Sequence, residues 1–202
     1  MTRIIGGDLR GRKLKVPELQ TRPTSSRVRE AIFSSVEHAV SGLDDLRVLD
    51  LFAGSGAFGI ESISRGAAEA VLIEKDLGAA DTLHSNIESL GIKTARVLIA
   101  DVFLRISEPS SAGKFDVVFI DPPYDAPDEQ VNALLAQLPK NGWLTDYGLL
   151  VVERGSKSKV IWPESIEQLR EKFYGDTTIW YGQYLEHEAA QEEGEWNVKR
   201  QS

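Results

Sequence analysis

Leu49-Asp50-Leu51-Phe52-Ala53-Gly54-Ser55-Gly56-Ala57-Phe58-Gly59 is the stretch on which the reading of this chain turns. Residues 48–52, apolar but for Asp50, read as a buried strand. Residues 58–65 read as a helix that Gly66 ends. Between them Gly54, Gly56 and Gly59 fit G-x-G-x-x-G. Such a turn lets a ligand approach main-chain N–H groups at a helix N-terminus. Glu74 ends the next apolar run, about 20 residues on, where a carboxylate can bind ribose hydroxyls.

Working outward, the same alternation repeats. Strands are expected over 70–73, 95–100, 115–120 and 149–152, ending at Glu74, Asp101, Asp121 and Glu153. Helices are expected over 80–90 and 128–138, the second stopped by Pro139. Continuous apolar strands alternating with helices indicate a parallel sheet covered on both faces. The C-terminal part differs, because residues 167–174 and 177–185 flank Gly175-Asp176 and read as an antiparallel hairpin. Upstream, Thr24 is the expected N-cap of a helix reaching about Val40. Residues 3–5 and 10–16 read as short extended segments of a small N-terminal β arm. The expected class is therefore α/β and Rossmann-like, with a mostly parallel sheet finished by a hairpin.

A glycine turn with a strand-end acid suits NAD as well as S-adenosylmethionine (SAM). Asp50 favours SAM: an anion beside the ligand repels a pyrophosphate but suits the cationic amino group of a methionine end. Asp101 can accept a bond from an adenine amine, with Phe103 near the ring. It can equally cap the helix that follows.

The second informative stretch is Phe119-Ile120-Asp121-Pro122-Pro123-Tyr124. It falls at the carboxyl end of a strand, the ligand-binding edge of an open α/β sheet. Two prolines remove two N–H donors and stiffen the loop. An aryl amine is a poor nucleophile, since its lone pair is delocalised into the ring. A carboxylate and a carbonyl that accept its N–H bonds can hold it toward a methyl donor, while Tyr124 stacks on the base. A sulfonium donor is already activated, so alignment and electrostatics dominate. No metal is expected. A base inside a duplex cannot reach such a loop, so the target is single-stranded or flipped out.

The 202 residues suit one domain with a small appendage. With no Cys there are no disulfides or thiolate metal sites, which fits a cytoplasmic protein. His38, His84 and His187 are scattered without ligand spacing. No apolar run approaches the ~18 residues a membrane helix needs, and no secretory signal is evident. The net charge of −8 argues at first against a nucleic-acid partner. Its distribution argues the other way. Residues 1–29 carry eight basic side chains against Asp8 and Glu18, a net +6, which leaves −14 for the remainder. Charges beyond about 10 Å are screened at ordinary salt, so a polyanion feels the arm locally.

The D-P-P-Y loop resembles the signature of methyltransferases acting on the amines of adenine, cytosine, guanine or glutamine amides. The N-terminal part is more specific. Arg3-Ile4-Ile5-Gly6-Gly7, Arg10-Gly11-Arg12-Lys13-Leu14, Pro17 and Arg22-Pro23-Thr24-Ser25-Ser26-Arg27-Val28-Arg29-Glu30 resemble the bacterial 16S ribosomal RNA guanine-N2 methyltransferases, the RsmD family. Ser64-Arg65-Gly66-Ala67 and Tyr174-Gly175-Asp176-Thr177 are similar to it too. The resemblance implies a seven-stranded SAM-methyltransferase sheet and N2-methylation of guanine 966, on 16S rRNA or a small ribosomal subunit. It implies SAM contacts at Asp50, Phe52, Gly54, Ser55, Gly56, Glu74, Lys75, Asp101 and Val102, with S-adenosylhomocysteine as product. It implies a catalytic loop at Asp121, Pro122, Pro123 and Tyr124. Arg3, Arg10, Arg12, Lys13, Arg22 and Arg27 would meet RNA. Arg27 and Arg29 have three candidate partners: RNA, the methionine carboxylate or Glu30.

The expected organisation is a basic RNA-binding arm over 1–23, a methyltransferase domain over 24–185 and an acidic, disordered tail over 186–202, in a monomer. Removing residues 1–20 is expected to weaken RNA binding and spare SAM affinity. The competing readings are an adenine-N6 methyltransferase, a glutamine methyltransferase, an NAD-dependent oxidoreductase and a non-catalytic RNA-binding module.

Overall fold

The computed structural model describes residues 2–17 and 25–186. The expected contributions of Arg22, Thr24, His187 and most of the acidic tail lie outside these residues.

Seven strands form the main sheet. In chain order they are β3 (Arg47–Leu51), β4 (Glu69–Glu74), β5 (Ala95–Ile99), β6 (Phe115–Ile120), β7 (Leu144–Gly155), β8 (Ile166–Tyr174) and β9 (Thr177–Tyr184). Their spatial order is β5-β4-β3-β6-β7-β9-β8. The first five in that order run parallel, and β9 is antiparallel to both neighbours. The hairpin expected around Gly175-Asp176 is present, with Gly175 at φ +60 supplying the left-handed residue its turn needs. Strand β7 starts earlier than expected. Its extra residues pair with β6 across a register shift between Phe115 and Val117, which apolar alternation does not reveal.

Among the described residues five helices cover the sheet: α1 (Ser26–Val40), α2 (Ala57–Ser64), α3 (Leu77–Leu90), α4 (Val102–Ile106) and α5 (Asp128–Lys140). The cap of α1 is Ser25, whose side chain accepts from the Val28 N–H at 3.2 Å. Asp76 caps α3 through the Ala79 N–H, so this helix begins three residues before the expected 80. Helix α5 continues through Pro139 to Lys140. A proline in the last turn forfeits one helical bond without ending the helix there.

Two apolar layers result. One joins Ile32, Phe33, Val36, Phe58, Ile60, Leu72 and Phe119, and the other joins Leu51, Ile73, Val118, Leu135, Trp143 and Leu150. The strand order reverses at β3: the chain builds outward through β4 and β5, then returns to lay β6 on the other side. In open α/β sheets ligands bind outside the strand carboxyl ends at such a switch point.

The N-terminal strands β1 (Thr2–Arg3) and β2 (Lys13–Leu14) pair antiparallel. They do not hang free. Ile4 and Leu14 are each 1% exposed and belong to the first apolar layer.

Candidate active site

The register at the switch point sets the site. Asp50 lies opposite Phe119 and Leu51 opposite Ile120. The two loops singled out in the sequence, after β3 and after β6, therefore leave the sheet side by side.

The first loop is held by carboxylates. Phe52, Gly54 and Gly56 take φ values of +65, +53 and +78, a left-handed path that turns the chain into α2. Glu74 accepts from the Gly54 N–H at 2.8 Å and, through its other oxygen, from the Asp76 N–H at 2.8 Å. A carboxylate offers about four lone-pair positions, so these bonds leave acceptor capacity. Asp50 accepts from the Gly59 N–H at 2.8 Å. At 1% exposure it sits behind the loop and not on its open face. Burial pushes its carboxyl up to about 8; the Gly59 bond opposes this shift and the charge of Glu74 adds to it. Gly59 is required by packing, because a Cβ there would lie 2.6 Å from Leu72 Cδ2.

Asp101 caps α4, accepting from the N–H groups of Phe103 and Leu104. Its other oxygen lies 3.6 Å from Lys75 Nζ. Phe52 and Phe103 meet at 5.4 Å with rings inclined by 60°, an aromatic wall next to that cap. Val102 is buried in the second apolar layer. Ser55 is buried, and its carbonyl accepts from Asn86 Nδ2 at 3.0 Å.

The second loop begins with Asp121 and buried Pro122, while Pro123 and Tyr124 are exposed. Arg154, on β7, reaches under it. Its guanidinium donates to the Ala126 carbonyl at 2.6 Å and to Asp128 at 2.8 Å, with a longer bond of 3.5 Å to the Pro123 carbonyl. The Arg154 bond, followed by the Lys159 N–H, holds the Asp128 carboxyl below the usual carboxylate range. Asp121, Glu153, Phe58 and Phe119 line a narrow, nearly closed crevice beside this loop. Sequence reasoning reaches Glu153 only as a strand end, and it misses Arg154 and Asn86. No local pattern flags an arginine or asparagine whose partners lie more than 25 residues away.

Among the basic candidates, Arg3, Arg10, Arg12, Lys13 and Arg27 are exposed. Arg3 and Arg12 also donate to the carbonyls of Gly11 and Ser89, at 3.2 Å each. Arg29 has a different fate. It is 1% exposed, pairs with Glu61 at 3.1 Å and also donates to Thr2 Oγ1 and the Arg3 carbonyl. Its carboxylate partner is Glu61 and not the neighbouring Glu30. Among the described residues no group of His, Cys, Asp or Glu could hold a metal ion.

Comparison with known proteins agrees with this geometry. The profile of the family described as "Conserved hypothetical protein 95" matches residues 2–183. Ribosomal RNA small subunit methyltransferase D of Escherichia coli K12 is 40% identical over 154 residues, 75% of this chain and 73% of that protein. The protein of the same name from Haemophilus influenzae is 36% identical over 177 residues, covering 86% of this chain and 89% of its own. The solved structure of Escherichia coli yhhF superposes with a TM-score of 0.79 at 36% identity, covering 92% of this chain and 99% of that one. Likeness in fold alone extends to SMU.776 in complex with SAH, at 14% identity, 74% of this chain, 48% of that chain and a TM-score of 0.60. The chain belongs to the family of ribosomal RNA small subunit methyltransferase D.

Proposed function

We propose that the protein transfers a methyl group from SAM to the exocyclic N2 amine of a guanine in small-subunit ribosomal RNA. The observation that carries this reading is the pairing of Asp50 with Phe119 and of Leu51 with Ile120, which sets a glycine turn and a D-P-P-Y loop side by side. The residues fit the donor. Glu74 keeps acceptor capacity next to the turn, Phe52 and Phe103 offer an aromatic wall beside Asp101, and Asp50 is an anion-forming group behind the loop. SAM supplies a methyl group already activated on a sulfonium.

The chain's own residues do the rest. Tyr124 is 59% exposed, and in this reading it stacks on an extruded base. Asp121 and the loop carbonyls accept the N2–H bonds and turn the nitrogen lone pair toward the methyl group. A methyl group passed to this nitrogen would leave its bonding electron pair on the sulfur of SAM. The surplus N2 proton passes by way of Asp121 to water. Arg10, Arg12 and Lys13 meet phosphates, with Arg3, Arg22 and Arg27 as further contacts.

The test is transfer from labelled SAM to unmodified small subunits, naked rRNA and DNA, followed by nucleoside analysis. Labelled N2-methylguanine from an RNA substrate is expected. Labelled N6-methyladenine would keep the loop chemistry and overturn the target. SAM binding without label in any acceptor would overturn both.

A further inference from the structure

We infer that Glu153 selects guanine over other purines by accepting a hydrogen bond from the N1–H of the target base, while Asp121 accepts from the N2 amine. The inference rests on the guanine-N2 reading above.

Register places the two carboxylates. Ile120 of β6 lies opposite Val152 of β7, so the next residues, Asp121 and Glu153, emerge side by side. Neighbouring strands lie about 4.8 Å apart. Both side chains line the same cleft, whose apolar wall includes Ile32, Phe58 and Phe119. Phe58 and Phe119 stack at 4.9 Å with an interplanar angle of 17° and are 7% and 1% exposed, so they form a rigid buried floor beneath the two carboxylates.

The chemistry of the base then decides. Guanine presents N1–H and N2–H on one edge, two adjacent donors for two adjacent acceptors. Adenine presents a bare N1 lone pair there, which a carboxylate repels. Glu153 is 9% exposed, so a bond made to it is little weakened by water. Asp121 and Glu153 each have an interaction inside the protein. With about four lone-pair positions per carboxylate, an internal partner orients the group and leaves acceptor capacity for the base. Sites built around a specific N–H bond reject analogues that lack it far more strongly than apolar pockets reject a missing methylene.

The experiment compares wild type with Glu153→Gln on small subunits reconstituted with guanine or 2-aminopurine at the accepting position. 2-Aminopurine keeps the N2 amine but has a bare N1. The wild type is expected to prefer guanine strongly. Glu153→Gln, whose amide can donate to a bare N1, is expected to lose about tenfold or more in kcat/KM on guanine. It should also narrow the preference over 2-aminopurine by a similar factor. SAM titration checks that the variant is folded, and Glu153→Asp should retain part of the preference. An equal fall on both bases, or an unchanged preference, overturns the role of Glu153 while the reaction stands. A wild-type product other than N2-methylguanine overturns the underlying reading instead.

Discussion

Arg29 and Glu61 form an ion pair of 3.1 Å between side chains that are 1% and 0% exposed. Glu61 also takes Arg65 at 2.8 Å and the Gly6 N–H at 3.1 Å, so it is the centre of a buried network joining α1, α2 and the N-terminal hairpin. Breaking a buried pair costs most where the remaining charge has no second counter-ion. Glu61→Met leaves Arg29 with neutral acceptors only, whereas Arg29→Met leaves Glu61 with Arg65. Glu61→Met is expected to cost about 3–5 kcal/mol, and Arg29→Met about 1–3 kcal/mol. Denaturant unfolding of both variants checks the order, and equal losses would mean that Arg65 does not compensate.

The same hairpin is tied to the glycine turn. Asn86 accepts from the Lys15 N–H at 2.9 Å, donates to the Lys15 carbonyl at 3.0 Å and donates to the Ser55 carbonyl at 3.0 Å. The Leu9 N–H and the Gly6 carbonyl both bond Ser64, in the last turn of α2. The arm therefore braces the element that opens at the glycine turn, and the expectation that its removal spares SAM affinity changes. Deleting residues 1–17 is expected to lower Tm and to weaken SAM binding tenfold or more, because burial of Ile4 and Leu14 and the bonds to Asn86 and Glu61 go together. A truncated protein with wild-type SAM affinity would show that the brace is dispensable.

RNA binding by the arm is tested by charge. Replacing Arg10, Arg12 and Lys13 with Ala removes three exposed cations without touching Ile4, Leu14 or the Lys15 backbone. RNA affinity should fall. The slope of log affinity against log salt should shrink by about 0.7 for each phosphate of single-stranded RNA that is no longer neutralised. Tm and SAM affinity should hold. An unchanged slope would remove these side chains from the interface.

The legible parts of this molecule are those written with short-range periodicity. Glu74, Asp101 and Asp121 can be placed because each ends an apolar run, and Asp50 because it lies within one just before the glycine turn; the sheet's order then puts Asp50 and the strand that leads into Asp121 side by side. Long-range pairing is hidden. Arg29 sits among arginines that read as a basic surface, and its burial depends on Glu61, 32 residues away. Arg154 follows a strand end, and nothing near it in sequence says that it holds the loop after Asp121. The docking of the arm is likewise invisible, since two strands of two residues carry almost no periodic signal.

Asp50 gives a pH prediction. Its folded carboxyl holds a proton up to about 8, mainly through burial, against an ordinary value of 3.8. Between those values the native state binds the extra proton, so this group's contribution to stability is present below about pH 4 and is lost as pH rises through about 8. Asp50→Asn cannot ionise. Relative to wild type, its Tm should climb steadily from about pH 5 to pH 8 and level off above. Parallel Tm profiles for the two proteins would place the titration elsewhere.

Asp121→Ala is expected to abolish turnover, because the amine loses the acceptor that orients it, while SAM binding persists. Titration calorimetry with SAM and the labelled-methyl assay together check this. Near-normal turnover would remove Asp121 from the mechanism.

Arg154 is a positioning residue, and its variants separate loop geometry from cofactor binding. A guanidinium spans the Ala126 carbonyl and the Asp128 carboxylate at once, which a methionine cannot do and a lysine does only as a point charge. With Arg154→Met the loop that carries Asp121 and Tyr124 loses its anchor on β7. A loop displaced by about 1 Å costs alignment of the amine, and effects of order 100-fold follow from such misplacement. Turnover is expected to slow by roughly one to two orders of magnitude, read as kcat, with SAM affinity unchanged. Arg154→Lys, which keeps a cation beside Asp128, should recover part of the loss. The Asp128 carboxyl, no longer held down by Arg154, should titrate closer to its ordinary value in the Met variant, which NMR of the side chain reads directly. A loss of SAM affinity as large as the loss in turnover would mean that Arg154 supports the whole site and not the catalytic loop alone.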